Sequence, residues 1–102
     1  MGNSDVAVIE CGDALGIADV GDLYAKLLIE LAEGHIVHFD VSEIERIDAA
    51  ALQVLYAYFK EAEKQGHTLL WNSPSEAFIR SVNLLGLAEK MNIEDNTVEE
   101  SQ

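Results

Sequence analysis

The chain is short of the residues that most often announce a chemistry. A single cysteine, Cys11, leaves no partner for an internal disulfide, and the simplest setting is a reducing, cytoplasmic one. Basic residues are scarce: six against 19 acidic ones give a formal charge of −13. That field repels phosphate backbones and anionic lipids, so nucleic acid is not expected as a partner, whereas neutral or basic proteins are. No apolar run approaches the ~18–20 residues that span a bilayer, and Met1-Gly2-Asn3-Ser4-Asp5 has neither the basic nor the apolar region of a secretory leader. Direct membrane insertion is therefore not expected. The glycines Gly12, Gly16 and Gly21 are too scattered for a phosphate-cradling loop.

The remainder suits one domain. At 102 residues, 49% of them apolar, the chain can build a single core. Residues 6–11 are β-branched and largely apolar and read as a strand closed by Gly12-Asp13. Val20, Leu23, Tyr24, Leu27, Leu28 and Leu31 repeat at three-and-four spacing, one apolar face of a helix with Asp19 as N-cap and Gly34 as stop. Residues 36–41 form a second strand. Leu52, Leu55, Tyr56, Phe59 and Ala62 mark a second helix that runs from Ala49 to Gly66, and residues 67–71 a third strand. Around Pro74, Ser73 or Ser75 caps a third helix with Phe78, Val82 and Leu85 on its apolar face, and residues 87–93 return to the core as a turn or strand. From Glu94 the chain is acidic and polar, so 1–93 reads as the domain and 94–102 as a disordered tail. Strands alternating with helices imply an α/β fold: a mixed, mainly parallel sheet of about four strands with helices packed on it.

Familiar catalytic and metal-binding patterns are missing. His35 and His38 are three apart, which on a strand places them on opposite faces, and His67 lies in another segment, so no metal site is expected. Carboxylates are too numerous for any pairing to signify, and a thiol within an apolar strand is usually inert. No nucleophile, base and orienting group come together, and neither catalysis nor a cofactor is expected.

One stretch draws the chain together: Asp40-Val41-Ser42-Glu43-Ile44-Glu45-Arg46-Ile47-Asp48-Ala49-Ala50-Ala51-Leu52. It reads as a strand end, a polar loop with Ile44 and Ile47 turned into the core, and a helix start. Asp48 is placed as an N-cap carboxylate accepting a backbone N–H, worth ~1 kcal/mol. Three alanines leave the first turn bare, with free donors and the positive end of the helix dipole open to a partner.

This stretch resembles the signature of the STAS domain, the fold of bacterial anti-sigma factor antagonists, of a small subunit of lipid-transport ABC systems and of the cytoplasmic tails of sulfate transporters. The family pattern is approximately D-L-S-x-V-x-x-I-D-S-S-G-L, and Gly66, the Ser73-Pro74 turn and Leu84-Leu85-Gly86-Leu87 also fall where the family has them. The likeness covers residues 35–93. The family usually carries two strands before the first helix; here there is one clear strand, with residues 14–17 as a vestige of the other. In antagonists the residue after the second aspartate is a serine or threonine phosphorylated by a kinase that is also the anti-sigma factor, and the phosphate releases the complex. The matching residue here is Ala49, which has no hydroxyl. The resemblance implies a regulatory protein-binding module docking through Ser42, Glu43, Asp48, Ala49, Ala50 and Gln53. Its partner would be an anti-sigma or histidine-kinase-like ATPase, without phosphorylation control at the usual site. The alternative it implies is a small accessory subunit docking on an ABC ATPase that moves lipid. A weaker third reading places a phosphate on Ser42.

Overall fold

The computed structural model describes residues 6–93 and 97–98. Its elements run β1 (Val6–Glu10), β2 (Ala14–Leu15), α1 (Ile17–Ala32), β3 (Ile36–Asp40), β4 (Arg46–Ile47), α2 (Ala49–Lys64), β5 (Leu69–Asn72), α3 (Glu76–Leu84) and β6 (Thr97–Val98). The main sheet has the order β1-β3-β5-β6, and a two-residue ladder joins β2 to β4. Every ladder among the described residues is parallel. This is the α/β architecture with helices packed on a parallel sheet that the alternating pattern implies.

Alternation along the strands decides which face is covered. Val37 and Phe39 on β3 and Leu69 and Trp71 on β5 are buried, and Ile9 joins them from β1. They merge with Leu23 and Leu27 of α1, Leu55 and Phe59 of α2, and Phe78 and Val82 of α3 into one core. Trp71 lies at its centre, with ring centroids 5.4 Å from Phe39, 5.5 Å from Phe59 and 5.6 Å from Phe78. Its indole N–H donates to the Met91 carbonyl at 3.0 Å, so the largest apolar side chain is buried without an orphaned donor. The opposite sheet face is open, with Val6, Val8 and Ile36 exposed.

Several expectations shift in detail. The N-cap of the first helix is Gly16 rather than Asp19. Asp19 sits one turn in and its Oδ2 accepts the Gly16 N–H at 2.8 Å, holding the helix start from inside. Tyr24 and Leu28 are not core residues of α1: the buried line is Val20, Leu23 and Leu27. The vestigial strand is real as β2, and its partner β4 lies inside what reads as a polar loop. Of the two serines, Ser75 caps α3. Residues 87–93 are a series of turns that buries Leu87, Met91 and Ile93. Within the acidic tail expected to be disordered, Thr97 and Val98 pair with Trp71 and Asn72 of β5; residues 94–96 and 99–102 lie outside the described residues.

Candidate functional site

The end of β3 and the start of α2 are connected by a loop that is anchored at both ends and exposed between them. At its head, Asp40 Oδ1 accepts both the Ser42 hydroxyl at 2.6 Å and the Ser42 N–H at 3.1 Å, a local turn that fixes the serine side chain. Ile44 then plugs the core and Ile47 packs half-buried against it, as their apolar character requires. The loop is braced from α3: the Ser75 hydroxyl donates to the Ile44 carbonyl at 2.6 Å, and the Ser75 N–H donates to the Val41 carbonyl at 3.1 Å. At its foot, Glu45 and Arg46 donate backbone N–H groups to the Asp13 carbonyl, and Asp48 donates its own to Leu15 at 3.0 Å. These bonds tie the start of α2 to the start of α1.

Asp48 occupies the N-cap position of α2 with extended backbone, φ −69° and ψ 142°, and its carbonyl accepts the Leu52 N–H at 2.9 Å. Its carboxylate, however, accepts no backbone N–H of the helix, which corrects the expected side-chain cap. Asp48 Oδ2 instead lies over Gly16, 3.4 Å from where a β-carbon would stand, so the carboxylate occupies space that a larger residue at 16 would contest. The alanines divide. Ala49 and Ala50 are exposed, whereas Ala51 is fully buried and belongs to the core rather than to a bare surface. Gln53 is exposed one turn further on.

The six residues singled out by sequence are thus all on the surface, but they form two groups. Ser42 and Glu43 line an open depression of about 600 Å³ together with Asp13, Ser75, Ala77 and Arg80. Asp48 lines a neighbouring one of about 570 Å³ with Gly16, Asp19, Arg46, Arg80 and Ser81. Glu45, Ala77 and Arg80 border both, so the two depressions form one groove beside β4. Ala49, Ala50 and Gln53 stand outside it on α2. Arg46 and Arg80, the only arginines in the chain, both line the groove; they are 34 positions apart, so no local sequence pattern pairs them. Their meeting depends on β4 packing against α3.

Two other chemical groups lie away from this groove. Burial pushes the Cys11 thiol up to about 12, with the Asp40 charge adding to the effect, so it stays protonated and unreactive. At the far end of α1, His35 Nδ1 lies 2.6 Å from Glu30 Oε1, and Glu33 adds a third ligand-type atom within 4.8 Å. His38 is not among them.

The sequence profile of the family described as Mlab, STAS domain matches residues 2–94. No curated protein sequence matches the chain. Among solved structures, the chain is similar to a sulfate transporter family protein from Wolinella succinogenes, with 21% identity, 91% of this chain and 75% of that one covered, and a TM-score of 0.76. It is similar to a putative anti-sigma factor antagonist from Thermotoga maritima, with 20% identity over 97% of this chain and 82% of the other, and a TM-score of 0.72. It is also similar to the anti-sigma factor antagonist SpoIIAA in its unphosphorylated form, with 13% identity, 100% and 85% coverage, and a TM-score of 0.70. At these identities the structures speak for the fold; the sequence profile speaks for descent. The chain belongs to the STAS domain family.

Proposed function

We propose that this domain is a regulatory protein-docking module that binds an ATPase partner of the anti-sigma or histidine-kinase-like type through the junction before α2. The docking residues are Ser42, Glu43, Asp48, Ala49, Ala50 and Gln53, and no phosphate controls the contact at position 49. The observation that carries this reading is the exposed start of α2. Ala49 stands at the position where the family resemblance puts the phosphoacceptor, in a first turn that no side chain caps. A backbone carbonyl or carboxylate of a partner could reach those donors without displacing anything. The domain performs no catalysis in this reading; it supplies a shape and a set of contacts.

A second reading keeps the same surface and changes the partner: an accessory STAS subunit seated on an ABC-type ATPase that moves lipid. The description of the matching family, Mlab, STAS domain, favours it. Among the described residues no helix is long and apolar enough to cross a membrane, so in this role the domain would be held by its protein contacts.

Capture from the source cell on the intact protein, with the captured ATPase identified by mass spectrometry, separates the two readings by partner class. Ala49→Glu places a negative charge on the docking face and is expected to weaken that capture by at least about tenfold while leaving the fold intact. Unchanged capture by Ala49→Glu would place docking elsewhere. Ala49→Ser restores a hydroxyl and should accept phosphate from a captured kinase, whereas the natural protein should remain unlabelled over residues 48–51.

A further inference from the structure

Helix α1 is apolar on two faces, and among the described residues only one of them is buried. The inner face, Val20, Leu23 and Leu27, is buried in the core. At about 3.6 residues per turn, Asp19, Asp22, Lys26 and Glu30 share roughly a quarter of the circumference. The rest of the outer surface holds Ile17, Ala18, Gly21, Tyr24, Ala25, Leu28, Ile29 and Ala32, every one of them exposed and none charged. Ile17 is 52% exposed, Tyr24 39%, Leu28 48% and Ile29 60%. On a chain with a formal charge of −13, a helix face of four turns without a charge is an anomaly that solvent alone does not explain.

The face continues onto α2. Tyr24 stacks on Tyr58, ring centroids 4.4 Å apart, and Tyr58 follows Ala50 and Val54 at four-residue spacing. The two helices start side by side, since Asp48 bonds to Leu15 just before α1. Their adjoining flanks therefore form a shallow trough with the tyrosine pair across it. Gly21 contributes an open place: a β-carbon there would meet nothing within 4 Å. From Ile17 to Leu28 the trough runs about 16 Å, the length of three helical turns. By helical position the charges next to it are Asp22 on α1 and Glu61 on α2, with Glu33 just past the end of α1 and Asp48 just before α2, while Lys26, Lys60 and Lys64 lie further round, Lys60 paired with Glu63.

From this arrangement we infer that the α1–α2 trough is an interaction surface for an amphipathic helix of a partner protein, carrying an apolar stripe flanked by lysine or arginine. Apolar side chains at i, i+3, i+4 and i+7 meet Ile17, Tyr24, Leu28 and Tyr58, and the flanking cations meet the acidic border. The surface shares Ala50 and the bordering Asp48 with the junction proposed as the docking site and does not depend on that reading.

The test is a titration of the whole ¹⁵N-labelled protein with three synthetic amidated helical peptides, followed by amide chemical shifts. One is a leucine/lysine amphipath, one has serine in place of leucine at equal charge, and one has glutamate in place of lysine. The leucine/lysine peptide is expected to shift residues 17–32 and 50–61, and each control to bind at least about tenfold more weakly. Leu28→Glu and Ile17→Glu, both at exposed positions and checked for folding by circular dichroism, should each weaken it by at least about tenfold. Ala49→Glu should change it less than about twofold, which keeps this outcome separate from the docking site before α2. Shifts confined to Val6, Val8 and Ile36 on the open sheet face, or an equal response to the serine/lysine peptide, would overturn the inference. So would a concentration-dependent dimer that Leu28→Glu dissolves, because the occupant would then be a second copy of the chain.

Discussion

The starts of α2 and α3 lie on the same rim of the fold and are finished in opposite ways. At α3, Ser75 accepts the Phe78 N–H at 3.1 Å and donates its own proton to the Ile44 carbonyl, so the hydroxyl is used twice within the chain. At α2, Asp48 offers a stronger acceptor than serine, yet its carboxylate caps nothing and lies beside Gly16. The start of α3 is sealed by its own side chain, whereas the first turn of α2 keeps its donors uncapped, which is what the proposed docking requires. The difference also separates the alanines, since Ala51 faces inward with the core while Ala49 and Ala50 remain outside.

The division can be broken by mutation. The largest effect is expected at Ala51, where Ala51→Asp buries an unpaired charge and should cost at least about 3 kcal/mol in urea unfolding. Ala50→Asp, one position earlier, should stay within about 0.5 kcal/mol. Equal losses would erase the boundary between surface and core at this helix start. Next comes Ser75→Ala, which removes a cap and strips the Ile44 carbonyl of its partner. A loss of about 1–2 kcal/mol is expected, with faster amide exchange over residues 42–45. The smallest effect belongs to Asp48→Ala, within about 0.5 kcal/mol, because no N–H loses an acceptor. A loss of 1 kcal/mol or more there would mean that the carboxylate caps α2 in solution after all, and the contrast with Ser75 would vanish.

Sequence patterning carried the architecture because the long elements have strong periods: three helices and the strands around Val37 and Trp71 can be placed by alternation and by three-and-four spacing. What escaped it has a physical pattern too. The β2–β4 ladder is two residues long on each side, too short for any period to appear. The exposure of Tyr24 and Leu28 escaped because hydrophobicity reports what could be buried, not whether a neighbour exists to bury it. Asp48 has the residue type of a cap, but capping is decided by where the side chain points, and here its Oδ2 lies beside Gly16. The candidate docking residues were legible as a stretch; the groove beside them, with Arg46 and Arg80, is a product of tertiary packing alone.

The β2–β4 ladder has a bearing on when the two helix starts come together. It joins Ala14 to Arg46 and Leu15 to Ile47 across the whole of α1 and β3, and it offers little area to offset the closure of so long a loop. Two residue pairs are too few to nucleate alone, so the ladder is expected to close after β1 has paired with β3 and α1 has packed against both, bringing the two helix starts together late. If the proposed docking holds, a partner that grips both helix starts would bind only the finished domain.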